Sequence, residues 1–328
     1  MDFGRLVRRS WQLTWRHRFL WVLGLFATTT VGSCTPFSAA NTVQWRGNFP
    51  NFESYYTPDL EETFRHANPY LSQNVAPIFL GVVATVLLIS LLLLVAAQIA
   101  QGGMAEATAN LALGQRPTGS GVWRAGFRTI WRYLLMWLML IGLGILAAVI
   151  LAVVVASILA IVAALHGPVR MVMVIVGGVF SLLLLLIAIP IYIAMSVVVA
   201  FAQRAIPQEG VGPWTALRLG YGLLRRNLAT SALAWLISLA LTIAAGIAIA
   251  LGAALLLVPV GALGFALYSS GGVSTTLLIF SGAAAVVAVA WLWFLGGVAN
   301  AFFWNYWTLI YLSLTGRLTS RLEPNTGR

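Results

Sequence analysis

Four long windows of this sequence contain no charged side chain at all. They run from 78 to 101, from 134 to 165, from 171 to 203 and from 228 to 315. A helix needs about 20 consecutive apolar residues to cross the hydrocarbon core of a bilayer. The last window is long enough for two such helices, separated by a glycine- and serine-rich turn at 268–274. The windows therefore predict five membrane-spanning helices, and residues 19–37 predict a sixth.

The composition agrees with a membrane protein and argues against a soluble one. Hydrophobic residues make up 60% of the 328 residues and charged residues only 8%, whereas roughly a quarter of the residues of a soluble domain are charged. Six spans leave little chain for a soluble domain. We therefore predict an all-α polytopic protein whose residues 1–328 form a single transmembrane domain.

The arginines are concentrated on one side of the predicted spans. The chain has 19 arginines and no lysine, and 16 of the arginines fall in the segments 1–18, 102–133, 204–227 and 313–328. Positively charged loops stay in the cytoplasm, so both termini are predicted to be cytoplasmic. A net charge of +11 would suit nucleic acid in a soluble chain. Here the arginines border the spans, and we expect anionic lipid headgroups, not nucleic acid, as their partners.

A short pattern precedes three of the apolar stretches. An aromatic residue is followed five positions later by an arginine in WQLTWRHRFLW (11–21), FRTIWRYLLMW (127–137) and YGLLRRNLATS (221–231). Apolar and basic residues segregate on opposite helix faces, as in helices that lie in the headgroup plane. We predict three interfacial elbow helices, each leading into two spans. The elbows share one orientation, so the repeat is parallel and threefold, with units of about 1–103, 104–206 and 207–316.

Arginine and tryptophan side chains at these elbows and at the end of the last span are predicted to anchor the protein at the membrane surface. The candidate anchors are Arg9, Trp11, Trp15, Arg16, Arg124, Arg128, Trp131, Arg132, Trp214, Arg218, Arg225, Arg226, Trp304 and Trp307.

The segments between the spans suggest further features. Residues 38–74 form an external loop rich in aromatic residues, which favours a folded cap, an interfacial belt or a binding surface, and 317–328 form a cytoplasmic tail. Gln101-Gly102-Gly103 is expected to end the second span, and 104–114 to form a separate cytoplasmic helix. Ser120 is expected to cap the second elbow. The single cysteine, Cys34, follows an apolar stretch that resembles a lipoprotein signal, and an ordinary unmodified residue is the alternative.

Small and polar residues within the spans indicate how the helices pack. Alanines recur every fourth residue from Ala148 to Ala164, a stripe that favours close packing within the chain or, alternatively, a homodimer seam. Pro190 interrupts the fourth span, and Asn300 and Asn305 are the main polar side chains of the sixth. These three are candidates for a kink or polar site, although interhelix hydrogen bonds are the more ordinary role of asparagines in such positions.

Motifs that would indicate catalysis are absent from the sequence. It has no Walker-type glycine loop, no GxSxG and no HExxH, its three histidines are not at metal-ligand spacing, and no ionisable residue falls within the six spans as assigned. We therefore expect no enzyme activity and no cofactor. The expected function is a membrane scaffold or a subunit of an envelope assembly, with a partner membrane protein or a second copy bound. The alternative is a transporter or lipid-handling protein with an apolar cavity between its helices.

Three passages carry a resemblance to a known family: WRHRFLWVLGLF (15–26), GYGLLRRNL (220–228) and YWTLIYLSL (306–314). They resemble a broad group of bacterial six-helix membrane proteins that includes the membrane domain found beside some glycerophosphoryl diester phosphodiesterases. The resemblance implies an inner-membrane protein linked to lipid or envelope physiology. It implies no active-site residue, since the phosphodiesterase barrel and its metal-binding acids are absent from this chain.

Overall fold

The computed structural model describes residues 2–27, 69–115, 117–164, 168–271 and 275–318. All regular structure in these ranges is α-helical. The helices are α1 (Phe3–Arg16), α2 (Phe19–Ala27), α3 (Pro69–Ala112), α4 (Gly119–Ala164), α5 (Pro168–Glu209), α6 (Pro213–Arg226), α7 (Leu228–Gly271) and α8 (Thr275–Leu314).

Five helical segments in the described ranges are long and apolar enough to cross a membrane: Leu80–Ala112, Gly119–Ser157, Ile175–Glu209, Leu228–Ser269 and Ile279–Leu314. The predicted all-helical, multi-pass architecture is confirmed at this level. The prediction of a sixth span over 19–37 reaches the described residues only in α2. Cys34 and most of the loop 38–74 lie outside the described residues, as does the tail from 319 onward.

The long helices pack against one another at one end of the bundle. Here α3, α5 and α8 finish and α4 and α7 begin, and we call this the basic end because α1, α6 and the start of α4 place most of the described arginines there. Arg9 of α1 donates a hydrogen bond to the carbonyl of Ala112 at 2.6 Å, which fixes α1 at this end. The largest fully buried side chains all belong to this core, among them Tyr133, Phe201, Trp304, Tyr306, Trp307 and Tyr311.

The distal halves of the helices, which lead away from the basic end, are exposed and almost purely apolar. Every residue of α4 from 141 to 157 is exposed, and the same holds for residues 80 to 92 of α3. Polar side chains such as Gln98 and Asn305 are instead buried in the core. This distribution is the reverse of that in a soluble protein, and it suits distal halves surrounded by lipid.

The described part of the alanine stripe of α4 does not pack within the chain, contrary to the first expectation from the sequence. Ala148, Ala152 and Ala156 are all exposed. The alanine periodicity places small side chains on one helix face. It did not indicate which element, if any, covers that face, so the homodimer seam stays a prediction.

The expected break at Gln101-Gly102-Gly103 is wrong, since α3 continues through these residues to Ala112. A Cβ atom added to Gly103 would lie 2.8 Å from the carbonyl oxygen of Val122 in α4, and one added to Gly126 would lie 2.8 Å from the Cγ2 atom of Ile99. Both distances are far below ordinary van der Waals separation. The glycines therefore allow the backbones of α3 and α4 to approach closely; they do not end a helix.

Two of the three elbows form separate helices, and the second does not. α1 is capped at its start by Asp2, whose carboxylate accepts a hydrogen bond from the Arg5 backbone N–H, and at its end by His17. α6 begins with Pro213 in its first turn and is capped at its end by Asn227. The second elbow is continuous with α4, which begins at Gly119, so Ser120 lies inside its first turn. The parallel threefold repeat is therefore not established by the helix boundaries.

The fourth predicted span continues further than expected. α5 passes through Pro190 and Pro207 and ends at Glu209, where Gly210 adopts a positive φ of 64°. A proline lacks the N–H that the helix would use, but both positions are accommodated within one helix. The extension places Arg204 in the interior of the bundle.

Candidate functional site

A buried polar network joins three helices at the basic end. Asn305 of α8 donates a hydrogen bond from Nδ2 to Thr14 Oγ1 of α1 at 2.8 Å, and its Oδ1 accepts one from Thr108 of α3 at 2.6 Å. Thr14 and Thr108 also bond to carbonyls one turn earlier in their own helices. Asn305 thus serves as an interhelix connector that holds the first elbow against the core.

A second set of hydrogen bonds attaches α2 to α8. Asn300 donates to the carbonyl of Gly24 at 3.4 Å, and Trp293 Nε1 donates to the carbonyl of Leu25 at 3.0 Å. A Cβ atom on Gly297 would lie 2.8 Å from the side chain of Leu25, so the two backbones are close. Both candidate asparagines of the last span therefore take part in helix packing.

Arg204 is a buried cation, although its place in the arginine-bearing segment 204–227 predicts a position at the cytoplasmic surface. It is 1% exposed, and its guanidinium lies 4.0 Å from the ring centre of Trp304. Nη1 donates to the carbonyl of Ala200 at 2.8 Å and to Oε1 of Gln203 at 3.0 Å. The cation–π contact and these hydrogen bonds offset the loss of hydration. The expectation that the spans contain no ionisable residue is therefore wrong at the inner end of α5.

Most of the predicted surface anchors are exposed at the basic end. Trp11, Trp15, Trp131 and Trp214 are exposed, as are the arginines of α6 and the pair Arg124 and Arg128, while Arg132 is half-buried. Arg128 also forms an ion pair with Glu106 at 3.3 Å. Arg16 is exposed at the end of α1, and Arg9 is bound to the end of α3.

Trp304 and Trp307 are not surface anchors, because they are 1% and 2% exposed. Trp307 packs edge-on against Phe201 of α5, and Trp304 lies beside Arg204. Within the described residues, the indole N–H of each has no hydrogen-bond partner. An aromatic cluster at the end of a span can belong to a headgroup belt or to a core, and here it fills the core.

The arginines of α1 differ in whether they have a partner within the protein. Arg5 forms an ion pair with Asp2 at 2.6 Å, and the pKa of the Asp2 carboxyl is lowered chiefly by the hydrogen bond from the Arg5 backbone and then by the Arg5 side chain. The pKa of His17 is lowered by burial and, to a smaller degree, by the charge of Arg16. The helix thus carries arginines with protein partners next to arginines that face outward.

An apolar groove of about 730 Å³ opens between α7 and α8 beside α1. The two long helices are joined by hydrogen bonds at two levels, from Tyr306 Oη to the carbonyl of Ala234 and from Trp291 Nε1 to the carbonyl of Gly252. Between these levels α7 faces the groove with three alanines, Ala244, Ala245 and Ala248, whose small side chains leave space open. We call it the α7–α8 groove, and its lining includes Val7, Arg8, Trp11, Ala244, Ala248 and Phe302.

A second apolar cleft of about 390 Å³ lies between α5 and the junction of α6 and α7. Pro190 lies on its wall together with Ala194, Leu224 and Leu228. The candidate kink residue therefore borders a cavity. The residues that line this cleft are all apolar, which gives it no means to bind a polar substrate by hydrogen bonds from side chains.

Comparisons with protein-family models, with curated proteins and with solved structures find no significant match. Within the described residues, no three His, Cys, Asp or Glu side chains are grouped so as to hold a metal ion. The structure thus has a packed core that contains hydrogen-bonded polar side chains, apolar distal helix halves and two lateral apolar clefts.

Proposed function

We propose that the protein is a non-enzymatic scaffold, or a subunit of an assembly, in the cytoplasmic membrane of a bacterium. The observation that supports this most directly is the division of each long helix into a packed half and an unpacked half. The basic end is held together by buried hydrogen bonds such as Asn305 to Thr14, whereas residues 141–157 of α4 contact few other parts of the chain. A packed basic end with exposed apolar distal halves suits a protein that organises other membrane components, because the distal halves are open to contact with them.

The arginine distribution supports a cytoplasmic location for the basic end and for both termini. α1, α6 and the start of α4 bring arginines to the same end of the bundle. In this proposal the chain crosses the membrane six times, with α2 beginning the first crossing, and the three elbows rest on anionic headgroups. The resemblance to the membrane domain found beside glycerophosphoryl diester phosphodiesterases adds a link to lipid or envelope physiology.

A transporter or lipid-handling protein is the second candidate, and the two lateral clefts favour it. The larger has a volume of about 730 Å³, which is within the usual range for ligand cavities. A route across the membrane would also have to pass the basic end, where Tyr133, Met136 and Trp307 are buried in the core. This packing gives the scaffold role more support than transport.

The two functions can be separated with the full-length protein, which is crosslinked in the native membrane and then reconstituted in lipid vesicles. Photo-crosslinking amino acids are placed at Val153 of α4 and Val286 of α8, both exposed in the distal half, and at buried Val122 as a matched control. The scaffold role predicts protein–protein adducts from the distal positions and none from Val122. It also predicts that vesicles containing the protein do not accelerate the flip of fluorescent phosphatidylglycerol. Adducts to lipid alone, or accelerated flip, would contradict it.

A further inference from the structure

The α7–α8 groove has the length of one lipid leaflet. Its wall on α7 extends from Ile237 to Ile249, which is about 18 Å at 1.5 Å per residue. Half of the hydrocarbon core of a bilayer is about 15 Å. The groove begins beside α1, at the basic end, and continues along the apolar part of α7. An extended hydrocarbon chain of the inner leaflet therefore matches it in length and direction.

Arg8 provides a charge at the mouth of this otherwise apolar groove. It is exposed and lines the groove together with Trp11 and Phe302. Within the described part of the chain, the Arg8 guanidinium forms no hydrogen bond and no ion pair, whereas neighbouring Arg5 is paired with Asp2. A guanidinium matches a phosphate in charge and in hydrogen-bond geometry. The groove thus combines an apolar channel with a cation at one end, which is the complement of an anionic phospholipid.

We propose that the α7–α8 groove is a binding site for one anionic phospholipid, with an acyl chain between α7 and α8 and the phosphate at Arg8. The lipid fills the space between the two hydrogen-bonded levels at Ala234 and Gly252, and it holds α1 against the bundle through Arg8. This site does not require the scaffold function, since a lipid bound at this place would also suit a lipid-handling protein.

Two pairs of matched variants test the site in the full-length protein. Ala248→Trp places an indole in the groove, while Ala250→Trp adds the same group to an exposed α7 position that does not line it. Arg8→Gln and Arg5→Gln remove the same charge from α1. Native mass spectrometry in mild detergent measures binding of phosphatidylglycerol, with phosphatidylcholine as the uncharged comparison.

We expect the unaltered protein to retain one phosphatidylglycerol in preference to phosphatidylcholine, and Ala248→Trp to lose it. Arg8→Gln should weaken binding about tenfold, in line with the loss of one charge-assisted hydrogen bond. Ala250→Trp and Arg5→Gln should change it less than twofold. Equal retention by Ala248→Trp and Ala250→Trp, or equal effects of the two arginine variants, would overturn the proposal.

A second measurement uses the unaltered chain, so it does not depend on whether a variant folds. The protein is placed in nanodiscs with phosphatidylglycerol that carries a photoreactive acyl chain, and the adducts are mapped by peptide mass spectrometry. Enrichment of adducts between Ala244 and Ile249, relative to the equally apolar stretch from Leu255 to Leu263, supports the site. Uniform labelling of α7 would contradict it.

Discussion

Replacing Gly126 with alanine tests whether close approach of α3 and α4 is what holds the basic end together. The added Cβ would overlap the carbonyl oxygen of Ile99 and lie 3.0 Å from its carbonyl carbon. Carbon atoms pack best at about 3.5–4.0 Å, so the helices would have to separate by roughly 0.5–1 Å. The neighbouring atoms belong to a helix backbone, which cannot rotate away as a side chain would.

The magnitude follows from two opposing effects. Overpacking of this kind costs about 1–3 kcal/mol, and the higher helix propensity of alanine returns about 0.5–1 kcal/mol. We expect a net loss of roughly 1–2 kcal/mol for Gly126→Ala. Gly142 is the matched control, because it lies on the same helix and a Cβ there would meet nothing within 4 Å. Gly142→Ala should leave the stability unchanged or raise it by at most about 1 kcal/mol.

Thermal unfolding in a mild detergent, followed by tryptophan fluorescence, measures the difference. For a chain of this size each kcal/mol corresponds to about 2–4 °C or less in Tm, so the two variants should differ by several degrees. Equal Tm values for Gly126→Ala and Gly142→Ala would refute the argument that the glycines of α3 and α4 serve close packing. A larger loss for Gly142→Ala would refute it as well.

Two further predictions concern the polar network and the arginines. In a double-mutant cycle of Asn305→Leu and Thr108→Val, chemical unfolding in detergent should give a coupling energy of about 0.6 kcal/mol, the average for hydrogen bonds between membrane helices, and at most about 1.7 kcal/mol. A value near zero would show that the 2.6 Å contact contributes nothing. Replacing all three of Arg124, Arg128 and Arg132 by glutamate should impair insertion or reverse the local orientation, because positive charge retains a segment in the cytoplasm. Unchanged topology in reporter fusions would contradict the anchoring role.

The long helices were predictable because they depend on composition alone. An unbroken apolar window of this length forms a helix inside a bilayer. α7 begins at Leu228, the first residue of the predicted window, and α8 begins at Thr275, directly after the predicted turn at 268–274. These predictions required no knowledge of which elements are neighbours.

The repeat of the elbows shows where such reasoning fails. In this repeat Arg16, Arg132 and Arg226 occupy the same position, and the residues that follow them are His17, Tyr133 and Asn227. His17 and Asn227 end their helices with backbone N–H groups bonded to preceding carbonyls. Tyr133 instead is buried in a continuous helix and donates from its hydroxyl to the carbonyl of Gln203. The different outcome depends on a contact with α5, which no local pattern contains.

Arg204 and the α7–α8 groove were missed for the same reason, because each depends on contacts between helices. Arg204 is the first residue of the arginine-bearing segment 204–227, yet it lies against Trp304 because α5 continues beyond it to Glu209. A signal was present, since Phe201, Ala202, Ala205 and Ile206 continue the apolar helix around it. The α7–α8 groove could not be predicted at all. The groove exists because α7 and α8 are joined at two levels and alanines such as Ala244 and Ala248 face the space between them. The sequence shows the alanines but not which helix faces them.

The attachment of α2 to α8 has a consequence for how the protein is made. Asn300 bonds to Gly24 across 276 residues, Trp293 to Leu25 across 268, and Asn305 to Thr14 across 291. At a synthesis rate of 5–20 residues per second, the first helices leave the ribosome roughly 15–60 s before these partners exist. During that interval the N-terminal segment must be held by lipid or by the insertion machinery. The native fold can close only when the last helix arrives.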